Sequence, residues 1–228
     1  MSAPGANEGQ PRARIISGNG RYADPWHDFA GTSAALATVI AEAGFEVEVR
    51  DDVDDALADL SHVDLVAVNV GRPSTVDEDA DARSRAGILA HLERDRPLLG
   101  LHVSATSMPG MPEWEDVLGG IWVRGTTMHP EQGTGRVEIV HGAEIGHSLD
   151  DFDVNDEFYS YLRVHDDAEV IAQHRFDGAT HPLAWSHRYG SARVVYDALG
   201  HHPDSFAADG HRRLLTEAVR WLSVPGTL

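Results

Sequence analysis

The residues with the clearest chemical potential follow an apolar run that stops at a histidine. Leu98 to Leu101 lead into His102, and the short side chains of Val103 to Thr106 follow directly. A buried strand that ends in a tight turn is the geometry of a nucleophile elbow, which presents one side chain at the carboxyl edge of a parallel sheet. An imidazole there can act as a general acid or base, or as a metal ligand. The same pattern also fits a core strand that ends in a loop histidine.

His27 and His201 also come shortly after predicted strands. Loops at the carboxyl ends of parallel strands converge on one crevice, so these two histidines and His102 are expected to share it. Glu157 and Tyr159 lie in an irregular segment expected to cover that crevice. Neutral imidazoles with a carboxylate suit a divalent transition metal such as zinc, or acid–base chemistry. Because no pair of these histidines has a short ligand spacing such as His-x-x-x-His, both interpretations stay open.

The loop after the first predicted strand has the composition of a ligand loop. It carries two glycines, His27, and the aromatic residues Tyr22 and Trp26, whose rings are expected to be exposed and to suit sugar faces. A third glycine at the right offset is missing, so the loop is a poor dinucleotide fingerprint. Elsewhere, His129 fits either a strand-end turn or a site, and Trp185 fits the sheet core better than a stacking platform.

Alternating strands and helices are predicted to position these residues. Strands are predicted at 13–18, 45–49, 65–70 and 98–101, with helices at 32–43, 54–60 and 77–95. The alternating pattern of 45–49 is that of an edge or half-buried strand. A β-α-β-α-β-α-β order with short connections is typical of a doubly wound, mainly parallel sheet.

After the turn at residue 102 the pattern changes to short strands between 121 and 172. Two more strands are predicted at 182–186 and 192–197, and an amphipathic helix closes the chain at 210–222. The sequence therefore predicts an α/β fold with a strand-rich insert after the elbow. We expect one domain at 14–223, preceded by a flexible leader at 1–13 and followed by a tail at 224–228.

The composition excludes several classes of function. The chain carries 37 acidic and 18 basic residues, a net charge of −19, which repels phosphate backbones and anionic lipids. Nucleic acid and membrane are therefore not expected as partners. No run approaches the roughly 20 apolar residues of a membrane span, and the amino terminus lacks the apolar core of a signal peptide. The absence of cysteine excludes disulfides and a thiolate nucleophile, and we expect a cytoplasmic protein.

Five stretches between residues 14 and 223 carry a further signal. They are Arg21-Tyr22 with His27, Gly100 to Ala105, His129-Pro130, Asp156 to Tyr159, and Trp185 to His201. In this order they resemble the ThuA-like (trehalose utilisation) family, a branch of the class I glutamine amidotransferase-like superfamily. The first stretch departs from the family pattern, because four residues separate Tyr22 from His27, where the aromatic residue and the histidine are usually adjacent.

The resemblance implies a flavodoxin-like domain whose elbow has lost the amidotransferase cysteine. Glutamine hydrolysis through a thioester is then excluded, because the chain has no cysteine. It also implies carbohydrate metabolism, since the family is associated with disaccharide catabolism alongside dehydrogenases that make keto-sugars. We expect an enzyme that acts on a keto-sugar or disaccharide derivative by isomerase- or lyase-type chemistry, which requires only proton abstraction beside a carbonyl.

Roles follow from this hypothesis. The catalytic residues are expected to be His102, Glu157 and His201. The substrate, a small carbohydrate, is expected to contact Tyr22, His27, His129, Tyr159 and Arg193. A divalent metal such as zinc, which would polarise the carbonyl, is expected on His27, His102 and His201. Two alternatives remain: a non-catalytic sugar-binding or regulatory domain, and a metal-dependent hydrolase of an amide or ester. The sequence is compatible with a homo-oligomer without fixing the oligomeric state.

Overall fold

The computed structural model describes residues 9–224 and centres on a nine-stranded sheet. The strands are β1 (Arg12–Ser17), β2 (Glu46–Arg50), β3 (Leu65–Asn69), β4 (Leu98–Leu101), β5 (Gly120–Ile121), β6 (Gly133–Ile139), β7 (Phe152–Asp156), β8 (Arg163–Val164), β9 (Glu169–Phe176), β10 (Ala179–Tyr189) and β11 (Ala192–Asp197). Strands β5 and β8 form a separate two-stranded antiparallel sheet, and the other nine strands form the large sheet. The α-helices are α1 (Phe29–Glu42), α2 (Val53–Ala58), α3 (Glu78–Leu92), α4 (Trp114–Leu118) and α5 (Asp209–Ser223). Short 3-10 helices lie at Gly20–Tyr22, His102–Thr106, Gly146–Ser148 and Pro203–Ala207.

The sheet has a parallel half and an antiparallel half, and its order is β2-β1-β3-β4-β11-β10-β9-β6-β7. Within this sheet, β2, β1, β3, β4 and β11 pair in parallel, and the pairings from β11 onward to β7 are antiparallel. Strand β3 is buried along its whole length, as expected for a parallel strand covered on both faces. The alternating strand β2 forms one edge, as predicted. This architecture confirms the predicted α/β fold with a strand-rich insert.

Element boundaries differ from the predicted ones by a few residues, for local reasons. Helix α1 begins at Phe29 rather than at residue 32, because the Asp28 carboxylate accepts a hydrogen bond from the Gly31 N–H at 2.9 Å and caps the helix. Helix α3 ends at Leu92, before Asp95 adopts a φ of +58°. Strand β1 begins at Arg12, inside the predicted leader. Residues 1–8 of that leader, and residues 225–228 of the predicted tail at 224–228, lie outside the described residues. Within 9–224, no helix has the length and apolarity needed to cross a membrane.

The antiparallel half returns one strand end to the edge where the parallel strands end. Each antiparallel pairing reverses the chain direction, so β7 runs the same way as β4 and β11. Strand β7 also contacts α5 and the 3-10 helix that follows β11. Its last residue, Asp156, therefore lies beside the loop that leaves β11, although β7 is four places from β11 in the sheet order.

Asp156 joins these two segments through its carboxylate. It is fully buried and accepts hydrogen bonds from three backbone N–H groups, those of Glu157 at 2.8 Å, Gly200 at 2.8 Å and His201 at 3.2 Å. A buried carboxylate is costly unless it is hydrogen-bonded in this way. The contact therefore fixes two chain segments relative to one another at the edge of the sheet.

Removing this carboxylate should destabilise the fold. We expect Asp156→Ala to lower the free energy of unfolding by about 2–4 kcal/mol, because three N–H groups lose their acceptor. Urea denaturation followed by circular dichroism measures the change. Asp153→Ala, on the same strand but exposed and paired only with Arg136, is the matched control and should cost less than about 1 kcal/mol. Equal effects of the two substitutions would contradict this role for Asp156.

A second buried polar group, His91, holds the end of α3 against the start of β4. Its side chain is fully buried, and Nε2 donates a hydrogen bond to the Pro97 carbonyl at 3.0 Å. Burial lowers the pKa of His91 from 6.5 to about 4. The folded protein therefore holds this imidazole neutral where an unfolded chain binds a proton.

Because of His91, the free energy of unfolding should decrease as the pH is lowered. The unfolded chain protonates His91 first as pH falls below 6.5, so its contribution to the free energy of unfolding drops by about 2 kcal/mol between pH 7 and pH 5. In urea titrations at these two pH values, His91→Gln should lose that much less stability than the parent. His62→Gln, at an exposed histidine, serves as the control. A pH dependence that His91→Gln leaves unchanged would overturn the assignment.

Candidate functional site

His102 occupies the elbow predicted from the sequence, at the carboxyl end of β4. Its φ of +45° is in the left-handed region that residues other than glycine rarely adopt, and its side chain is buried. Nδ1 donates a hydrogen bond to the Ala198 carbonyl at 2.7 Å, while the His102 carbonyl accepts one from the Tyr196 hydroxyl at 2.6 Å. Because Nδ1 carries the proton, Nε2 presents a lone pair to the crevice.

His27 reaches the same crevice from the loop after β1. The Asp24 carboxylate accepts hydrogen bonds from the backbone N–H groups of Trp26 and His27, and from His27 Nδ1 at 2.7 Å. The opposite nitrogen, His27 Nε2, is buried and has no hydrogen-bond partner. Burial, and then the charge of His102, lowers the pKa of His27 to about 4, although Asp24 opposes the shift. His27 is therefore a neutral imidazole whose free lone pair is aimed into the crevice.

His201 and Glu157 complete the group and are brought together by Asp156. His201 Nδ1 lies 3.3 Å from Glu157 Oε2 and 3.3 Å from His102 Nε2. Burial lowers the pKa of His201, against the opposing charge of Glu157. For Glu157, burial raises the pKa, but the nearby imidazoles of His102, His201 and His129 bring it below its ordinary value. The Glu157 carboxylate is therefore ionised.

These four side chains form a compact donor set. One ligand atom from each of His27, His102, Glu157 and His201 lies within 4.8 Å of all the others. Within residues 9–224, no other group of three or more histidine, aspartate or glutamate side chains meets this criterion. Three imidazole nitrogens and a carboxylate oxygen are the donors that zinc and related ions prefer. We refer to the four residues as the histidine cluster.

Tyr159 and His129 border the histidine cluster. The buried Tyr159 hydroxyl donates a hydrogen bond to His102 Nε2 at 2.9 Å, and burial holds the pKa of Tyr159 well above its ordinary value, so the hydroxyl stays protonated. His129 Nδ1 donates to the Pro130 carbonyl at 2.8 Å, and its Nε2 lies 3.5 Å from Glu157 Oε2. The His129 side chain is 34% exposed and connects this carboxylate with solvent.

Two predicted substrate-binding residues lie elsewhere. The expectation that the Tyr22 ring is exposed was wrong: the residue is 2% exposed, and its hydroxyl donates to Asp54 at 2.8 Å within a buried network that includes Arg21. Arg193 lies near the start of β11, at the end of the strand opposite the crevice, and its guanidinium stacks 4.8 Å over the Trp221 ring. Neither side chain reaches the histidine cluster.

The predictions for the two tryptophans agree with the structure. Trp185 is a fully buried core residue, and its Nε1 donates to the Leu118 carbonyl at 2.7 Å. Trp26 is 73% exposed in the first loop.

Sequence reasoning missed three residues that shape the crevice. Asp24, which orients His27, is one of many aspartates in an acidic chain, and only its position three residues before the histidine distinguishes it. Asp156 begins one of the five stretches that resemble the family, but no role was predicted for it. Trp122 packs edge-on against Tyr159, with ring centroids 4.7 Å apart, a contact between distant segments that no local pattern indicates.

Comparison with known proteins places the chain among its relatives. A family model described as ThuA, trehalose utilisation, matches residues 15–222. No curated protein matches the sequence.

Solved structures show the same fold. A ThuA-like protein from Parabacteroides merdae ATCC 43184 superimposes with a TM-score of 0.76 at 16% identity, over 94% of this chain and 90% of that one. For a ThuA-like protein from Bacteroides uniformis ATCC 8492 the TM-score is 0.74 at 17% identity, over 97% and 95%. A cold-adapted β-galactosidase from Rahnella sp. R3 matches with a TM-score of 0.65 and 18% identity, over 95% of this chain but 32% of that one. Because the family match extends over 15–222, the chain belongs to the ThuA family.

Proposed function

We propose that the histidine cluster binds a divalent transition metal such as zinc, and that the site catalyses an isomerase- or lyase-type step on a carbohydrate that carries a carbonyl group. One observation carries the proposal. His27 Nε2 is buried without a hydrogen-bond partner, and it faces donor atoms of His102, His201 and Glu157 that all lie within 4.8 Å of one another. An unpartnered buried nitrogen is costly, and a bound cation would satisfy it.

The orientation of the imidazoles supports a metal site. Metal-ligating histidines usually donate their second nitrogen to a carboxylate or carbonyl, which fixes the tautomer. His27 does so to Asp24, and His102 does so to the Ala198 carbonyl. The Tyr159 hydroxyl donates to the same lone pair of His102 that an ion would use, so ion binding competes with that hydrogen bond.

The other residues of the crevice provide for proton transfer. With the ion held by the three imidazoles, Glu157, the carboxylate member of the histidine cluster, can take a proton from a carbon beside a substrate carbonyl. His129 Nε2, 3.5 Å from Glu157 and on a partly exposed side chain, can pass that proton to solvent. Tyr159 offers a hydroxyl donor to a substrate oxygen. A bound metal ion would supply polarisation of the carbonyl.

The carbohydrate class of the substrate rests on the family description, trehalose utilisation. The two ThuA-like structures support the shared fold alone, because their identities to this chain are 16% and 17%. The exposed Trp26 ring beside His27 supplies an apolar surface of the kind that sugar rings contact. The choice of isomerase or lyase chemistry rests on the base and carbonyl-polarising groups proposed above.

Zinc affinity should distinguish His201 from the adjacent His202. After chelator treatment and dialysis, the parent should bind one zinc ion per chain, and His201→Ala should bind it more than about 100-fold more weakly, because a ligand is lost. Asp24→Asn should weaken binding about 10- to 100-fold, because His27 loses the acceptor that orients it. Competition titration with a chromogenic chelator measures these affinities.

His202 provides the control for this experiment. It follows His201 directly, is exposed, and points away from the histidine cluster toward Asp204. His202→Ala should therefore retain the zinc affinity of the parent. A parent protein that takes up no stoichiometric zinc, or equal affinities for the two alanine variants, would show that the cluster is not a metal site.

Proton abstraction can be followed without knowledge of the product. In D₂O, the zinc-loaded protein should exchange the proton beside the carbonyl of a keto-glycoside, with the unoxidised glycoside as the matched inert substrate. His102→Ala and Glu157→Gln should keep the native circular dichroism spectrum and lower exchange at least about 100-fold, because a ligand and a base are removed. Proton NMR measures the exchange rate.

Two results would replace the proposed chemistry. Sugar binding by calorimetry with no exchange over hours would indicate a non-catalytic binding domain. Cleavage of an amide or ester without exchange would indicate a metal-dependent hydrolase.

A further inference from the structure

A cavity of about 340 Å³ lies beside the histidine cluster. One wall is the end of the 3-10 helix that begins at His102, and Trp122 forms part of another. Trp122 also packs on Tyr159, whose hydroxyl contacts His102, so the cavity adjoins the histidine cluster at these two rings. The cationic side chains of Arg72 and Arg124 also line the cavity.

The pairing of the arginines in this chain singles out these two. All 18 basic residues are arginine, and 13 of them form ion pairs with carboxylates. Three more, Arg94, Arg188 and Arg193, donate hydrogen bonds to backbone carbonyls. Within residues 9–224, Arg72 and Arg124 have neither kind of partner, and both line the same cavity.

The only carboxylate that lines the cavity is already engaged. Glu115 accepts two hydrogen bonds from Arg163, at 2.5 and 2.6 Å. It therefore does not neutralise Arg72 or Arg124. In a chain with 37 acidic residues, two unpaired guanidinium groups at one cavity form a local positive site against a field that otherwise repels anions.

The location connects this charge with the histidine cluster. Arg72 lies three residues beyond the end of β3, at the same carboxyl edge of the sheet as His102. Arg124 follows Trp122 by two residues. A sugar ring lying against the indole would thus have the histidine cluster on one side and the two guanidinium groups on the other.

We infer that this cavity binds an anionic substituent of the substrate, a carboxylate or a phosphate, and that the sugar processed here is an acidic one. The inference rests on the proposed function and narrows its substrate to uronates or sugar phosphates. Guanidinium groups bind both anions through paired, charge-assisted hydrogen bonds, which makes arginine well suited to the task. Trp122 supplies the apolar surface for the ring.

Calorimetry on the chelator-treated protein tests the inference apart from any bound metal. The probes are D-glucuronate, D-glucose 6-phosphate and D-glucose, at one ionic strength. We expect an acidic sugar to bind about tenfold or more tightly than glucose, and Arg72→Gln and Arg124→Gln each to lower that affinity about tenfold or more without changing the affinity for glucose. Both arginines are exposed and without partners, so the variants should fold as the parent does.

Arg188→Gln is the matched control, since it removes the same charge from an exposed arginine away from the cavity, and it should have no effect. Tighter binding of glucuronate than of glucose 6-phosphate would identify the anionic substituent as a carboxylate. Tighter binding of glucose 6-phosphate would identify it as a phosphate. The inference is overturned if neither acid binds up to about 10 mM, if glucose binds as tightly, or if Arg72→Gln and Arg124→Gln behave as Arg188→Gln does. Zinc affinity, measured on the same samples, tests the proposed function separately. A parent protein that prefers the acidic sugars but binds no zinc would overturn the metal site alone.

Discussion

The crevice depends on one buried carboxylate. Asp156, the last residue of β7, accepts hydrogen bonds from the N–H groups of Glu157, Gly200 and His201. A strand from the antiparallel edge of the sheet is thereby held against the loop that leaves β11 in the parallel half. This contact brings together the residues that follow an edge strand and those that follow the central strand of the sheet. Because the carboxylate is fully buried, its partners cannot be exchanged for water without a cost in stability.

Hydrogen bonds to the protein also fix the orientation of the His27 and His102 imidazoles. Asp24 accepts from His27, and the Ala198 carbonyl accepts from His102, so each ring has one nitrogen assigned to the protein and the other left for the crevice. Burial then favours the neutral forms of His27 and His201. Imidazole nitrogens and a carboxylate oxygen within 4.8 Å of one another suit the cation that we propose for this site, and do not suit an anion.

The sequence predicted the three histidines of the histidine cluster because their positions follow a topological rule. His27, His102 and His201 each follow a parallel strand, and the carboxyl ends of such strands meet at one edge. The ring of Tyr22 was expected to be exposed and is buried, because an aromatic residue in a glycine-containing loop can equally pack inward, here beside Asp54. Arg193 could have been excluded, since it lies at the start of a strand whose other end forms the site. Whether an arginine is paired depends on tertiary contacts, and no local pattern indicated the cavity beside Trp122.

The backbone at residue 102 links fold and proposed chemistry. A φ of +45° at a residue other than glycine costs about 1 kcal/mol or more, and such strain persists where the surroundings enforce it. Here they do so from both sides, since Tyr196 holds the backbone carbonyl of His102 and Ala198 holds its ring. In the elbow geometry this conformation lifts one side chain above the end of the strand. A chain without cysteine cannot use that position for a thiolate, yet it keeps the strained turn and places an imidazole there. The conformation directs His102 Nε2 toward the crevice, where we propose that it serves as one of the metal ligands.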